Sequence, residues 1–167
     1  MAQTALNKNN SLKKLMEHIP QKGKVTWIGL RPKTRAPLNS VKEVEVNQKG
    51  LIGDRYNGSG NRAVTLIQAE HLPIIASIMS ISPIDPGILR RNIVVSGVNL
   101  LAFKDKQFII GDAVLEMTGY CHPCSRMEEA LGEGGYNTMR GHAGITAKVI
   151  KEGKIRVNDL VELYQTS

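Results

Sequence analysis

Aromatic side chains are scarce: two Phe, one Trp and four Tyr make up 4% of the 167 positions. Stacking platforms for single-stranded nucleic acid are therefore hard to assemble. Cysteine is scarcer still. Two residues cannot staple a small secreted scaffold, so the thiols are expected reduced, in a cytoplasmic protein. No apolar run approaches the ~20 residues of a membrane-spanning helix. The opening stretch, rich in Asn and Lys as far as Pro20, has no apolar signal-peptide segment. No membrane partner is expected. There is no phosphate-loop motif, no internal repeat, no linker dividing the chain and no visible β-α-β alternation.

What is present suits one globular domain. Leu, Ile, Val and Phe total 45 residues, or 27%, which argues against disorder. The net charge of +7 is confined to residues 1–50, which carry ten Lys/Arg and three Asp/Glu. The remainder is neutral, with twelve of each. A nucleic-acid surface needs cations gathered along one stripe. A basic N-terminal stretch is more simply a solvated face.

Short β-branched segments dominate the rest. They are Val25–Leu30, Val44–Val46, Ala63–Ile67, Asn92–Val95, Phe108–Ile110, Ala113–Met117, Ile145–Ile150, Lys154–Val157 and Leu160–Tyr164. Turn pairs such as Gly111-Asp112 and Asn158-Asp159 punctuate them. Many short strands so separated predict a mostly β sandwich or barrel. Three short helices are expected. One spans Leu12–His18, capped by Ser11 and ended by Pro20. The second follows Pro73 at its first position. The third spans Ser125–Leu131, where Ser125 and Glu128 match a capping box.

Cys121-His122-Pro123-Cys124 is the sharpest chemical feature. A cysteine entering a helix, with Arg126 nearby, is placed to act as thiolate, the form that attacks or binds metals. Two buried thiols acting as small hydrophobes are the alternative, but the setting of Cys124 favours the functional reading. A thioredoxin-type redox pair requires an α/β context, and a structural zinc site a second ligand pair; only His142 stands in for one. The Gly50–Gly60 stretch, which holds Asp54 and Arg55, is expected to be a long hairpin connection. Arg55, Arg62, Arg90, Arg91 and Arg140 recur near strand edges. Together with Asn92 and Cys124 they are candidates for an anion-binding barrel mouth. His142, in Met139–Gly144, is a candidate acid/base group or an exposed loop residue.

The ordered set resembles the MOSC domain, the molybdenum cofactor sulfurase C-terminal domain, in its stand-alone bacterial form. The resembling segments are Gly50-Leu51-Ile52-Gly53-Asp54-Arg55, Arg62–Ile67 with Glu70, Leu89-Arg90-Arg91-Asn92-Ile93, Ile110–Ala113, Pro123-Cys124, Gly141–Val149 and Gly153-Lys154-Ile155. The likeness runs from about Lys24 to Tyr164. It implies a closed, mostly β barrel with a few short helices over residues 24–167, preceded by a basic extension with a short helix, 1–23.

It also implies a molybdenum–pterin cofactor. Cys124 matches the cysteine that ligates molybdenum in amidoxime-reducing members, and is thus both metal ligand and catalytic residue. Arg90 and Asn92 match family positions and Arg62 does so more loosely; with Arg55, Arg140 and His142 they are the candidate cofactor-binding residues. The implied activity is reduction of small N-hydroxylated compounds. No iron–sulfur or flavin fingerprint is present, so electrons would come from a separate reductase. The alternatives are a non-catalytic module that carries sulfur or delivers the cofactor, and thiol redox at the cysteine pair. Three positions depart from the family pattern. Tyr56 replaces a frequent His, Arg91 replaces Glu in Leu-Arg-Glu-Asn, and Asn158 replaces Gly in a late turn.

Overall fold

A computed structural model describes residues 12–56, 58 and 60–166. Residues 23–30 (β1), 107–110 (β7), 113–120 (β8), 145–151 (β9), 64–68 (β5), 93–96 (β6) and 160–163 (β11) form one sheet. Its order is β11-β7-β8-β9-β5-β6-β1, and β1 pairs back onto β11, closing a seven-stranded barrel. Residues 39–41 (β2) extend β1 on its other edge. A small second sheet joins residues 153–156 (β10), 43–47 (β3) and 50–51 (β4). Of the sandwich or barrel that the strand count allows, the closed, mostly β barrel that the resemblance implies is the one observed.

Alternation builds two cores from the same strands. Val64, Leu66, Ile93 and Val95 point into the barrel with Phe103 and Phe108. Ile67 and Val94 point outward, to a second core with Ile75, Leu89, Met127, Leu131 and Met139. That core is covered by residues 71–79 (α2), 125–131 (α3) and 135–139 (α4). Covered on both faces, β5 is buried at every position, which explains its unbroken apolar run.

Several expectations change. β5 and β6 are parallel, and α2 lies between them in the chain. One β-α-β crossover is therefore present, although the sequence shows no such alternation. The Gly50–Gly60 stretch is not a hairpin connection, since β4 pairs with β3 and β5 with β6 and β9. Helix α2 begins at His71, so Pro73 is its third residue, still within the first turn where no N–H is needed. Helix α4 was not foreseen; Glycines 134 and 135 mask it. Asn158 does adopt the left-handed turn conformation, φ 78°.

Residues 12–17 (α1) bury no side chain; Ser11, its expected cap, lies outside the described residues. Ile19 packs on the barrel core. Among the described residues no helix is long and apolar enough to cross a membrane. Deleting residues 1–17 should change the unfolding free energy by less than about 0.5 kcal/mol. Urea denaturation checks this, and a loss several times larger would mean that the N-terminal segment supports the barrel.

Candidate functional site

The ends of β1, β5 and β6 meet at one mouth of the barrel, held by a buried polar network. Arg31, just after β1, forms a bidentate pair with Asp54: Nε donates to Oδ1 at 3.0 Å and Nη2 to Oδ2 at 2.7 Å. The Arg31 backbone N–H adds a bond to Oδ1 at 2.7 Å. The side chains are 14% and 1% exposed. Asn92, fully buried, completes the network. Its amide donates to Asp54 Oδ1 and the Gly29 carbonyl, and its Oδ1 accepts from Arg31 and from the Thr65 amide and hydroxyl. Burial opposes the Asp54 charge, but the hydrogen bonds and charge of Arg31 outweigh it and hold the carboxyl below its ordinary value.

The Asn92 amide is wholly engaged inside the protein, so within this structure its side chain positions the mouth. Arg31 and Asp54 were missed as site-builders. They lie 23 residues apart, and nothing in their spacing announces the pair.

Arg90 and Arg91 stand on the same rim, just before β6. Arg90 has a left-handed backbone, φ 59°. Its Nη1 donates to the Ala36 carbonyl at 3.0 Å, while Nη2 is buried without a partner among the described residues. Burial, then the charges of Arg126, Arg31 and Arg55, lower its pKa, with Cys124 opposing. It remains a cation at neutral pH. Arg91 is 6% exposed. Its Nε and Nη1 donate to the Ala143 and Leu89 carbonyls, both at 2.8 Å, and its Nη2 too lacks a partner. Burial lowers its pKa as well, with Cys121 and Cys124 opposing.

The cysteine loop follows β8 onto the same rim. Cys121 is buried, and its N–H is tied to the Gly144 carbonyl at 2.8 Å; Cys124 is exposed. Cys124 is itself the N-cap residue of α3, and no side-chain bond caps that helix. The expected capping box is absent because Glu128 turns the other way. Its carboxylate accepts the Gly134 and Tyr136 N–H groups, both at 2.7 Å, and so secures α4.

Arg55 is exposed and donates to the Thr34 hydroxyl. Arg62 is exposed within electrostatic reach of Arg91. Arg140 and His142 are engaged elsewhere. Arg140 meets Asn137 at 3.4 Å. The His142 Nδ1–H donates to the Thr138 carbonyl, and its ring packs edge-on against His71, centroids 5.3 Å apart. Cys124, Arg90, Arg91, Arg62 and Arg55 are thus gathered around one rim, while the contacts of Arg140 and His142 lie within α4 and with α2.

Beside Arg90 opens a cleft of about 570 Å³, walled by Arg35, Pro37, Leu38, Ile88, Arg126 and Ala130. Among the described residues no three His, Cys, Asp or Glu side chains converge as a metal site. A metal at Cys124 must therefore bring most of its own ligands.

A closed seven-stranded barrel with an arginine-rich rim and one exposed cysteine defines the class. Residues 53–162 match the MOSC domain model, and the chain belongs to the MOSC domain family. No curated protein matches it. Among solved structures, the YuaD protein from Bacillus subtilis shares the fold at TM-score 0.77 and 20% identity, over 89% of this chain and all of its own. YiiM from Escherichia coli gives 0.68 and 19%, over 86% of this chain and 71% of its own. YiiM from Geobacillus stearothermophilus gives 0.71 and 17%, over 86% and 75%.

Two predictions arise from these contacts. Asp54→Asn strands a buried guanidinium and should cost about 3–5 kcal/mol. The double change Arg31→Met/Asp54→Leu, which removes both charges, should cost less. Equal losses in chemical denaturation would mean that the pair contributes no charge coupling. The second concerns His71, whose pKa is lowered by burial and then by His142, against a smaller opposing effect of Glu70. The unfolded chain then binds the proton more readily. Stability is full above about pH 6.5, the ordinary histidine value, and falls as pH drops below it. Between pH 7.5 and 5.5 the wild type should lose more stability than His71→Gln; matching losses would remove His71 as the source.

Proposed function

We propose that this chain binds a molybdenum–pterin cofactor and reduces small N-hydroxylated compounds, drawing electrons from a separate reductase protein. The observation that carries this reading is the pairing of one exposed cysteine with buried guanidinium N–H groups that have no partner among the described residues. A single soft thiolate suits a sulfur-bound metal that arrives with its other ligands. An unpartnered Arg90 N–H suits the phosphate of the same group.

When bound, such a cofactor supplies two-electron removal of oxygen from an N–OH group. The chain's own residues hold and orient. Cys124 anchors the metal at the rim. Arg90 pairs with the phosphate, and Arg55 and Arg62 add positive charge around it. Arg31, Asp54 and Asn92 keep the strand ends from spreading. Cys121, tied to Gly144, fixes the start of the cysteine loop. Arg140 and His142 have no part in this arrangement.

Cys124→Ser should lose both bound molybdenum and turnover of an N-hydroxylated purine while melting like the wild type. Cys121→Ser should retain most of each. Metal analysis and the assay check this, and identical behaviour of the two variants would refute Cys124 as sole ligand. Molybdenum bound without turnover, by contrast, would assign the chain to carrying or delivering the cofactor.

A further inference from the structure

The cleft beside Arg90 holds two further arginines, Arg35 and Arg126, to which cofactor binding gives no role. Three arginines, Arg35, Arg90 and Arg126, border it, next to apolar walls from Pro37, Leu38 and Ile88. Asp85 and Glu129 also border it, but among the described residues neither forms an ion pair with these arginines. Asp85 is already engaged: its carboxylate accepts the Gly87 N–H at 2.7 Å.

Two of the three arginines sit on left-handed backbone, Arg35 at φ 62° and Arg90 at φ 59°. L-residues with a Cβ avoid that region, and such strain gathers where a site requires it. Arg90 also bonds the Ala36 carbonyl, next to Arg35, which draws its guanidinium to this wall while one N–H group stays unpartnered. Like charges held together without an ion-paired carboxylate repel, and Arg126 is the largest charged influence on Arg90. Cys124 is the N-cap of α3, two residues before Arg126, so the thiol and the cleft meet at the start of that helix.

We propose that this cleft is the substrate subsite, and that the N-hydroxylated compounds it selects are flat organic anions carrying a carboxylate. The carboxylate sits between Arg126 and Arg35, and the flat body lies along Pro37, Leu38 and Ile88 with its N–OH group toward Cys124. Arg126 and Arg35 are the specificity-determining residues. This rests on the reductase reading for the N–OH end, whereas the anion preference stands on the cleft itself.

The probes are 4-carboxybenzamidoxime and benzamidoxime, which differ only in the carboxylate. Binding to the full chain is followed by the fluorescence of Trp27, the single Trp, whose ring lies against Gly87 of the cleft wall. Molybdenum content is measured in every preparation. The carboxylated probe should bind about tenfold or more tightly than the neutral one, since charge-assisted arginine bonds are strong. Arg126→Gln and Arg35→Gln should each erode that preference and leave affinity for the neutral probe unchanged, with Arg126→Lys intermediate. Equal affinities in the wild type, or a preference that survives both Gln changes, would overturn the proposal. If the preference holds but no preparation turns either probe over, the reductase reading fails and the anion subsite stands. If both probes turn over at equal KM and kcat, the subsite fails and the reductase reading stands.

Discussion

The rim of this barrel depends on one buried carboxylate. Asp54 enters from the loop after β4, which belongs to a different sheet from the strands it secures. It accepts two bonds from the Arg31 side chain, one from the Arg31 backbone and one from Asn92. Desolvating such a pair is costly, and the cost is offset only because nearly every donor and acceptor finds a partner. The return is geometric. The ends of β1, β5 and β6 are held together by side chains where the backbone ladder stops, and the segment Arg90–Arg91 leaves that point with a defined direction.

Arg91 shows how far the arrangement departs from a purely electrostatic one. A buried guanidinium is normally expected opposite a carboxylate. Here two backbone carbonyls, Ala143 and Leu89, take its N–H groups instead. The first of these joins the loop before β9 to the loop before β6. Since Gly144 also receives the Cys121 N–H, three loops share one junction. An added Cβ at Gly144 would collide with the Leu66 carbonyl, so the junction tolerates only glycine. The family's frequent Glu at position 91 would reverse this logic, because a carboxylate cannot donate to carbonyls.

The strands were largely legible because their apolar runs and turn residues are local signals. Phe108–Ile110 and Ala113–Met117 with the Gly111-Asp112 turn between them need no tertiary information. The cysteine loop and the arginines before β6 were legible for the same reason. Asp54 with Arg31, and the outward face of β5, were not. The first is a contact between distant residues. The second depends on a helix layer whose own signal is weak. α4 is five residues long and opens on two glycines, and Pro73 points to a helix start two residues late. Glu128 misled because a local motif lost to a stronger bond across to the next helix.

Seven is an odd number, and that alone dictates part of this architecture. Strands that alternate direction around a closed ring can do so without interruption only if their count is even. A ring of seven must contain an odd number of same-direction neighbours, and here there is one, β5 with β6. Two neighbouring strands running the same way cannot be joined by a tight turn, so the chain has to travel back along the outside of the ring. That return path is α2 and the segment after it, which delivers residues 90–92 to the rim. Arg90 and Arg91 thus stand where parity obliges the chain to re-enter the barrel.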